Sequence, residues 1–108
     1  MVNINVLLEN YSVNGLYKSK HGLSILIDYN GLNILLDVGP DNKFIENANR
    51  SNIDLKKIKY LFLSHNHSDH VGGINEFIKI NNTAKIYLMD KITSKYYIKL
   101  FFFTYLFQ

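Results

Sequence analysis

The stretch Tyr60-Leu61-Phe62-Leu63-Ser64-His65-Asn66-His67-Ser68-Asp69-His70-Val71-Gly72-Gly73 passes from four apolar or aromatic residues into three histidines and an aspartate, and ends on paired glycines. Tyr60 to Leu63 is short and nearly continuous in its apolar character. That pattern predicts a strand buried on both faces, in a sheet covered by helices. Ser64 to Val71 fits neither the helical nor the strand period and reads as a loop at the C-terminal end of that strand. In open α/β sheets this edge is where ligands bind. Gly72-Gly73 lets the backbone turn tightly into the next element, where Ile74, Phe77 and Ile78 restore helical spacing up to Asn81-Asn82. The dipole of that helix would favour an anionic group near its start.

Neutral imidazole and carboxylate oxygen both suit zinc and related divalent ions. The chain has no cysteine, so a metal site must use imidazole and carboxylate, and His65, His67, Asp69 and His70 form a plausible ligand set. In a near-extended segment residues two apart point to one side, so His65 and His67 are expected to converge on one ion. Asp69 and His70 lie beyond a bend and are expected to face a second ion beside the first. Any one of these side chains alone would read as a solvated loop residue. All four together, between a strand and a glycine-led helix, read as a metal site. Imidazole ligates only when neutral, so metal loss is expected below about pH 6.

Outward from this stretch, Val2 to Leu8 reads as a first strand and Tyr11 to His21 as a polar loop. Ser24–Tyr29 and Leu32–Asp37 flank Asn30-Gly31, the pair best suited to the positive φ angles of a two-residue hairpin turn. Gly39-Pro40 breaks the second of these strands. Asp41 is a cap candidate for a short helix whose apolar face is Phe44, Ile45 and Ala48, and Asp54 for a turn containing Leu55 and Ile58. Ala84 to Met89 reads as another strand, and Asp90 as the cap of a helix with Ile92, Tyr96, Tyr97 and Leu100 on its inner face. Strands alternating with helices after an early hairpin predict an α/β fold with a mixed sheet.

A chain of 108 residues is one domain at most, and an apolar share of 47% places it among globular chains. The net charge of +3 is spread over scattered lysines, which argues against a nucleic-acid surface. The N-terminus lacks the basic and apolar regions of a secretory signal, so a cytoplasmic location is the expectation. Tyr96 to Phe107 is almost wholly apolar and aromatic. It falls short of the roughly 20 residues of a membrane span, and Lys99 interrupts it.

The pattern His-x-His-x-Asp-His, standing as His65 to His70 behind an apolar strand, resembles the metallo-β-lactamase superfamily of binuclear metallohydrolases. His21-Gly22-Leu23-Ser24 before a strand, "ILLDVG" from Ile34 to Gly39 and "IDLKKI" from Ile53 to Ile58 are similar to one branch of it, the dihydropterin-aminobenzene-phosphate synthases of folate-like coenzyme biosynthesis. The likeness weakens beyond Met89.

The resemblance implies an αββα-type metallo-β-lactamase fold, two mixed sheets between outer helices, of which this chain reaches about the first half. Residues 1–95 would form the N-terminal part of that domain, and 96–108 an apolar aromatic tail of the kind a frameshift or early stop produces. It implies that His65 and His67 bind a first metal and Asp69 and His70 a second. The ions would be zinc, with manganese or iron as alternatives. Asp69 would also orient the nucleophile and carry a proton, in catalysis that acidifies water and polarises a carbonyl or phosphoryl oxygen. Asp37 would support the ligands from behind. His21 could lie at the rim of the cleft but reads first as a plain loop histidine, and Glu9-Asn10 reads as a strand-end turn.

The superfamily takes a further histidine, a bridging aspartate and a last histidine from its second half, whereas the histidines here are His21, His65, His67 and His70. Metal affinity is therefore expected to fall. The expected function is that of a metal-dependent hydrolase-like protein with impaired activity, acting on a small anionic or phosphorylated molecule. The alternative is a non-catalytic metal-binding fragment completed by a separate C-terminal half, or one that self-associates over its apolar face.

Overall fold

Asn30 and Gly31 adopt φ angles of 51° and 88° and close the expected hairpin between β2 (Ser24–Tyr29) and β3 (Leu32–Leu36). The structure is a computed structural model and describes residues 1–10, 15, 17–90 and 97–100. β1 (Val2–Leu8) lies antiparallel to β2. From β3 the chain crosses through α1 (Lys43–Arg50) and a 3₁₀ turn (Leu55–Lys57) into β4 (Ile58–Leu63), which is parallel to β3. It crosses again through α2 (Ser68–Val71) and α3 (Ile74–Ile80) into β5 (Lys85–Asp90), parallel to β4. β6 (Tyr97–Leu100) adds an antiparallel edge, giving a six-stranded sheet in the order β1-β2-β3-β4-β5-β6. This is the mixed α/β sheet that the sequence predicts.

Local chemistry sets the element ends. Asp54 caps its turn as expected, accepting the Lys56 N–H at 3.0 Å. Asn42, not Asp41, is the N-cap of α1. The Asp41 carboxylate is drawn to the Lys43 N–H at 3.0 Å and to the Lys20 ammonium at 2.7 Å. At the end of α3 the buried Asn81 amide donates to the carbonyls of Leu55 and Ile58 and accepts from the Ala84 N–H. One polar side chain thereby ties α3 to the starts of β4 and β5.

Leu26, Leu35, Leu61 and Ile86 stand in register across four strands and are buried with Phe44, Ala48 and Phe77 of α1 and α3. Alternation puts Ile25, Leu36, Phe62 and Tyr87 in one row of the opposite face, and Ile27, Ile34 and Tyr60 in the next. These side chains are only partly buried. Phe62 and Tyr87 stack on each other with centroids 5.2 Å apart. β4 is therefore not buried on both faces. Among the described residues helices cover one side of the sheet alone, and the apolar run served a second, half-exposed face.

Where the helix expected from Asp90 falls on described residues, strand stands in its place. Asp90 closes β5, and Tyr97 to Leu100 pair with Tyr87 to Asp90. Aromatic and β-branched residues favour strand, and the free edge of β5 supplies the ladder. Ile92, Tyr96 and the aromatic run beyond Leu100 lie outside the described residues. No helix among the described residues is long and apolar enough to cross a membrane.

Candidate metal centre

The site forms where β3 and β4 end side by side. Asp37 follows β3 with φ at +60°, a left-handed conformation that a non-glycine residue adopts at some cost. Its neighbours hold it there. The Asp37 N–H donates to the Phe62 carbonyl at 2.9 Å, and Ser24 Oγ donates to the Asp37 carbonyl at 2.8 Å. The Asp37 side chain is fully buried.

Three donors surround that carboxylate. Ser64 gives its N–H to Oδ1 at 2.7 Å and its hydroxyl to Oδ2 at 2.6 Å, and His70 Nδ1 lies 2.7 Å from Oδ2. An ionised carboxylate only accepts, so His70 carries a hydrogen on Nδ1 and, when neutral, leaves Nε2 bare. The Ser64 hydroxyl, having donated to Asp37, accepts from His65 Nδ1 at 2.8 Å. His65 Nε2 is then bare as well. A single buried aspartate thus fixes both imidazoles in the tautomer that a metal requires, one directly and one through Ser64.

The expected loop Ser64 to Val71 contains a short helix, α2. The His67 carbonyl accepts the N–H groups of His70 and Val71, both at 2.9 Å. A single turn of polar residues has no apolar period, so its sequence gives no helical signal. This turn carries Asp69 and His70 back towards His65, whose ring centroid is 4.1 Å from that of His70. Ligating atoms of His65, Asp69 and His70 all fall within 4.8 Å of one another. His67, exposed at the N-cap of α2, stands edge-on to His65 with centroids 4.5 Å apart and outside that trio.

These groups fit a divalent cation. His70 Nε2 and Asp69 Oδ2 face each other at 3.4 Å, a spacing that a proton or a shared cation can bridge. Two ligands each about 2.1 Å from one tetrahedral ion would stand about 3.4 Å apart.

The glycines after the motif act through space more than through turning. Gly72 has an ordinary helical φ of −59°. A Cβ on Gly73 would stand 2.5 Å from the Val38 carbonyl oxygen and 2.6 Å from that of Asp41. The Gly73 N–H donates to Gly39 and the Val38 N–H to His70, which fastens the ligand turn to the loop after β3.

Some contacts at the site go beyond the sequence reading. Ser64 gives no motif signal of its own, although it directly precedes the first histidine. His21 stands at the rim of the cluster, the lesser of the two readings its sequence context offers, with its Nε2 3.2 Å from Asp69 Oδ2. Asn10 likewise does more than end a strand, its side-chain oxygen accepting the Gly22 N–H at 3.3 Å. Nearby, the Lys20 ammonium holds the Asp41 carboxyl below its ordinary range.

The sequence profile of the metallo-β-lactamase superfamily matches residues 20–100. The chain belongs to this superfamily. The 7,8-dihydropterin-6-methyl-4-(β-D-ribofuranosyl)-aminobenzene-5'-phosphate synthase of Methanocaldococcus jannaschii is 38% identical over 98 residues, which cover 84% of this chain and 33% of the synthase. The chain thus spans a third of that relative's length, 33%. Among solved structures of the metallo-β-lactamase superfamily, Tm1679, a metal-dependent hydrolase, superposes with a TM-score of 0.61 at 28% identity, covering 86% of this chain and 45% of Tm1679. The metallo-β-lactamase MIM-1 from Novosphingobium pentaromativorans superposes at 0.53 with 29% identity, over 61% of this chain and 25% of its own. The metallo-β-lactamase superfamily is generally metal-dependent, in keeping with the His/Asp group at the edge of this sheet.

Proposed function

We propose that this chain carries the motif-bearing part of a metal-dependent hydrolase-type site for a small anionic or phosphorylated substrate. The observation that carries the reading is the convergence of ligating atoms of two imidazoles and a carboxylate, within 4.8 Å of one another, at the C-terminal edge of the sheet. Zinc suits this donor set best, with manganese or iron as alternatives, and His67 beside the trio makes room for a second ion. A metal held here would supply Lewis acidity towards water and towards a carbonyl or phosphoryl oxygen. Asp37 and Ser64 keep the histidines in their ligating tautomer, and Asp69 orients the attacking water and takes its proton. Likeness to the pterin-phosphate synthase supports a phosphorylated substrate of related type.

A second reading is favoured by the half-exposed apolar rows Ile25-Leu36-Phe62-Tyr87 and Ile27-Ile34-Tyr60. In it, the chain binds metal and turns over substrate only when a further polypeptide layer covers that face and adds ligands, or when a second copy does so. Hydrolysis of phosphoester, carboxylic ester and lactam substrates, assayed with and without zinc or manganese, separates the two. Metal-dependent turnover by the chain alone, abolished by His65→Ala, supports the first reading. Metal binding without turnover, with activity appearing only on association, supports the second. Failure to bind metal contradicts both.

A further inference from the structure

We propose that two copies of this chain join through β1, edge to edge and antiparallel, into one continuous sheet. The proposal is independent of the metal-centre reading and rests on the outer edge of that strand. Among the described residues β1 stands last in the sheet and pairs with β2 alone. Met1 to Leu8 has no charged residue and no proline, the devices that commonly keep such an edge from pairing. Val2, Ile4 and Val6 are 51%, 65% and 50% exposed along it.

The register with β2 decides which backbone groups face outward. The Asn30 N–H donates to the Met1 carbonyl at 3.2 Å, so Met1 and Asn30 form a hydrogen-bonded pair. In an antiparallel ladder such pairs alternate with open ones. Carried along the pairing of β1 with β2, the alternation makes Asn3–Asp28 and Asn5–Leu26 bonded pairs, and it turns the N–H and C=O groups of Val2, Ile4 and Val6 away from β2. The free ladder ends there, because the register shifts after Val6 and the Leu7 carbonyl accepts from the Asn47 amide at 2.7 Å.

The free run is Val2-Asn3-Ile4-Asn5-Val6, which reads the same in both directions. A two-fold axis places one patch against its own copy, so a segment of this kind is complementary to itself. An antiparallel pairing centred on Ile4 sets Val2 opposite Val6 of the second copy, Asn3 opposite Asn5, and Ile4 opposite Ile4. Every outward-facing residue then meets another, giving roughly six backbone hydrogen bonds, two for each bonded pair. A slip of two residues would leave an outward residue of each copy unmatched. The side chains agree with this register, since β-branched residues face each other on one side and the Asn3 and Asn5 amides on the other. Val2, Ile4 and Val6 lie on the side of the sheet that bears Ile25 and Ile27, so the half-exposed apolar face continues across both copies.

Sedimentation velocity of the full chain over a range of concentrations tests the proposal. The wild type should pass from monomer to dimer and no further. Ile4→Pro removes the N–H that each copy donates across the axis and leaves the bonded pairs with β2 in place, as proline is tolerated where a strand's N–H faces solvent. It should raise the dimer dissociation constant at least about tenfold. A second pair of variants reads the register itself. Asn3→Lys with Asn5→Asp sets opposite charges across the axis and should tighten the dimer, whereas Asn3→Lys with Asn5→Lys sets like charges there and should loosen it. A wild type that stays monomeric throughout, growth into open-ended polymers, or a dimer indifferent to Ile4→Pro overturns the proposal. Equal dimerisation by the two charge variants overturns it as well, and none of these results bears on metal uptake.

Discussion

The carboxylate of Asp37 lies 2.7 Å from Nδ1 of His70, although 33 positions separate the two residues in the chain. This contact couples the end of β3 to the ligand turn after β4. The same carboxylate accepts twice from Ser64, which in turn contacts His65.

Asp37→Asn should weaken the site without removing a ligand. An amide accepts on one atom only, so at least one of the three donors around it would meet an N–H₂ group. One imidazole would lose the partner that fixes its tautomer. Zinc affinity, measured by competition with a chromophoric chelator, should fall about 10–100-fold. Urea unfolding of the metal-free chain should show a loss of about 1–3 kcal/mol from the buried groups left unpaired. Unchanged affinity would remove Asp37 from the account.

Gly73→Ala tests the packing that holds the ligand turn. The new methyl group would meet two carbonyl oxygens, at 2.5 and 2.6 Å, and Phe44 at 2.8 Å. None of these is the free end of a flexible side chain, so the backbone must shift. A destabilisation of about 1–3 kcal/mol is expected, with metal affinity reduced alongside it. A variant as stable as the wild type in urea would show that the close approach is not required.

The Lys20–Asp41 pair predicts a modest acid dependence. Folding lowers the Asp41 pKa, chiefly through the hydrogen bond from Lys20, below an ordinary value of 3.8. A lowered carboxylate contributes stability that is whole above the unfolded value and lost as pH falls through the folded one. The pair is largely exposed, so its contribution is about 0–1 kcal/mol. Lys20→Met should cost that much at neutral pH, and the difference from wild type should vanish well below 3.8. A difference that persisted in acid would point to packing by the lysine stem instead.

Much of this architecture is legible in the sequence because it is local. Asn30-Gly31 specifies its hairpin by φ alone, and Phe44 and Ala48 announce the buried side of α1 by their spacing. The ligand cluster is legible as a group, since imidazoles and a carboxylate so dense behind a strand have few other uses. Its internal arrangement is not. The α2 turn joins His65, Asp69 and His70 into one trio, where strand-like alternation predicts two pairs. Ser64 and His21 act through contacts that sequence spacing does not encode, and the latter depends on how closely Gly22 approaches α2. The apolar run of β4 could not say which of its faces a helix would cover. Tyr97 to Leu100 carried helical spacing and strand propensity together, and the open edge of β5 decided between them.

The central claim is that His65, Asp69 and His70 together grip a divalent cation. Equilibrium dialysis of the purified chain against zinc, followed by elemental analysis, tests it most directly when run beside His65→Ala and His70→Ala. Bound zinc in the wild type and its loss in both variants is the predicted result. A wild type that emerges metal-free, or variants that retain as much zinc as the parent chain, would contradict it.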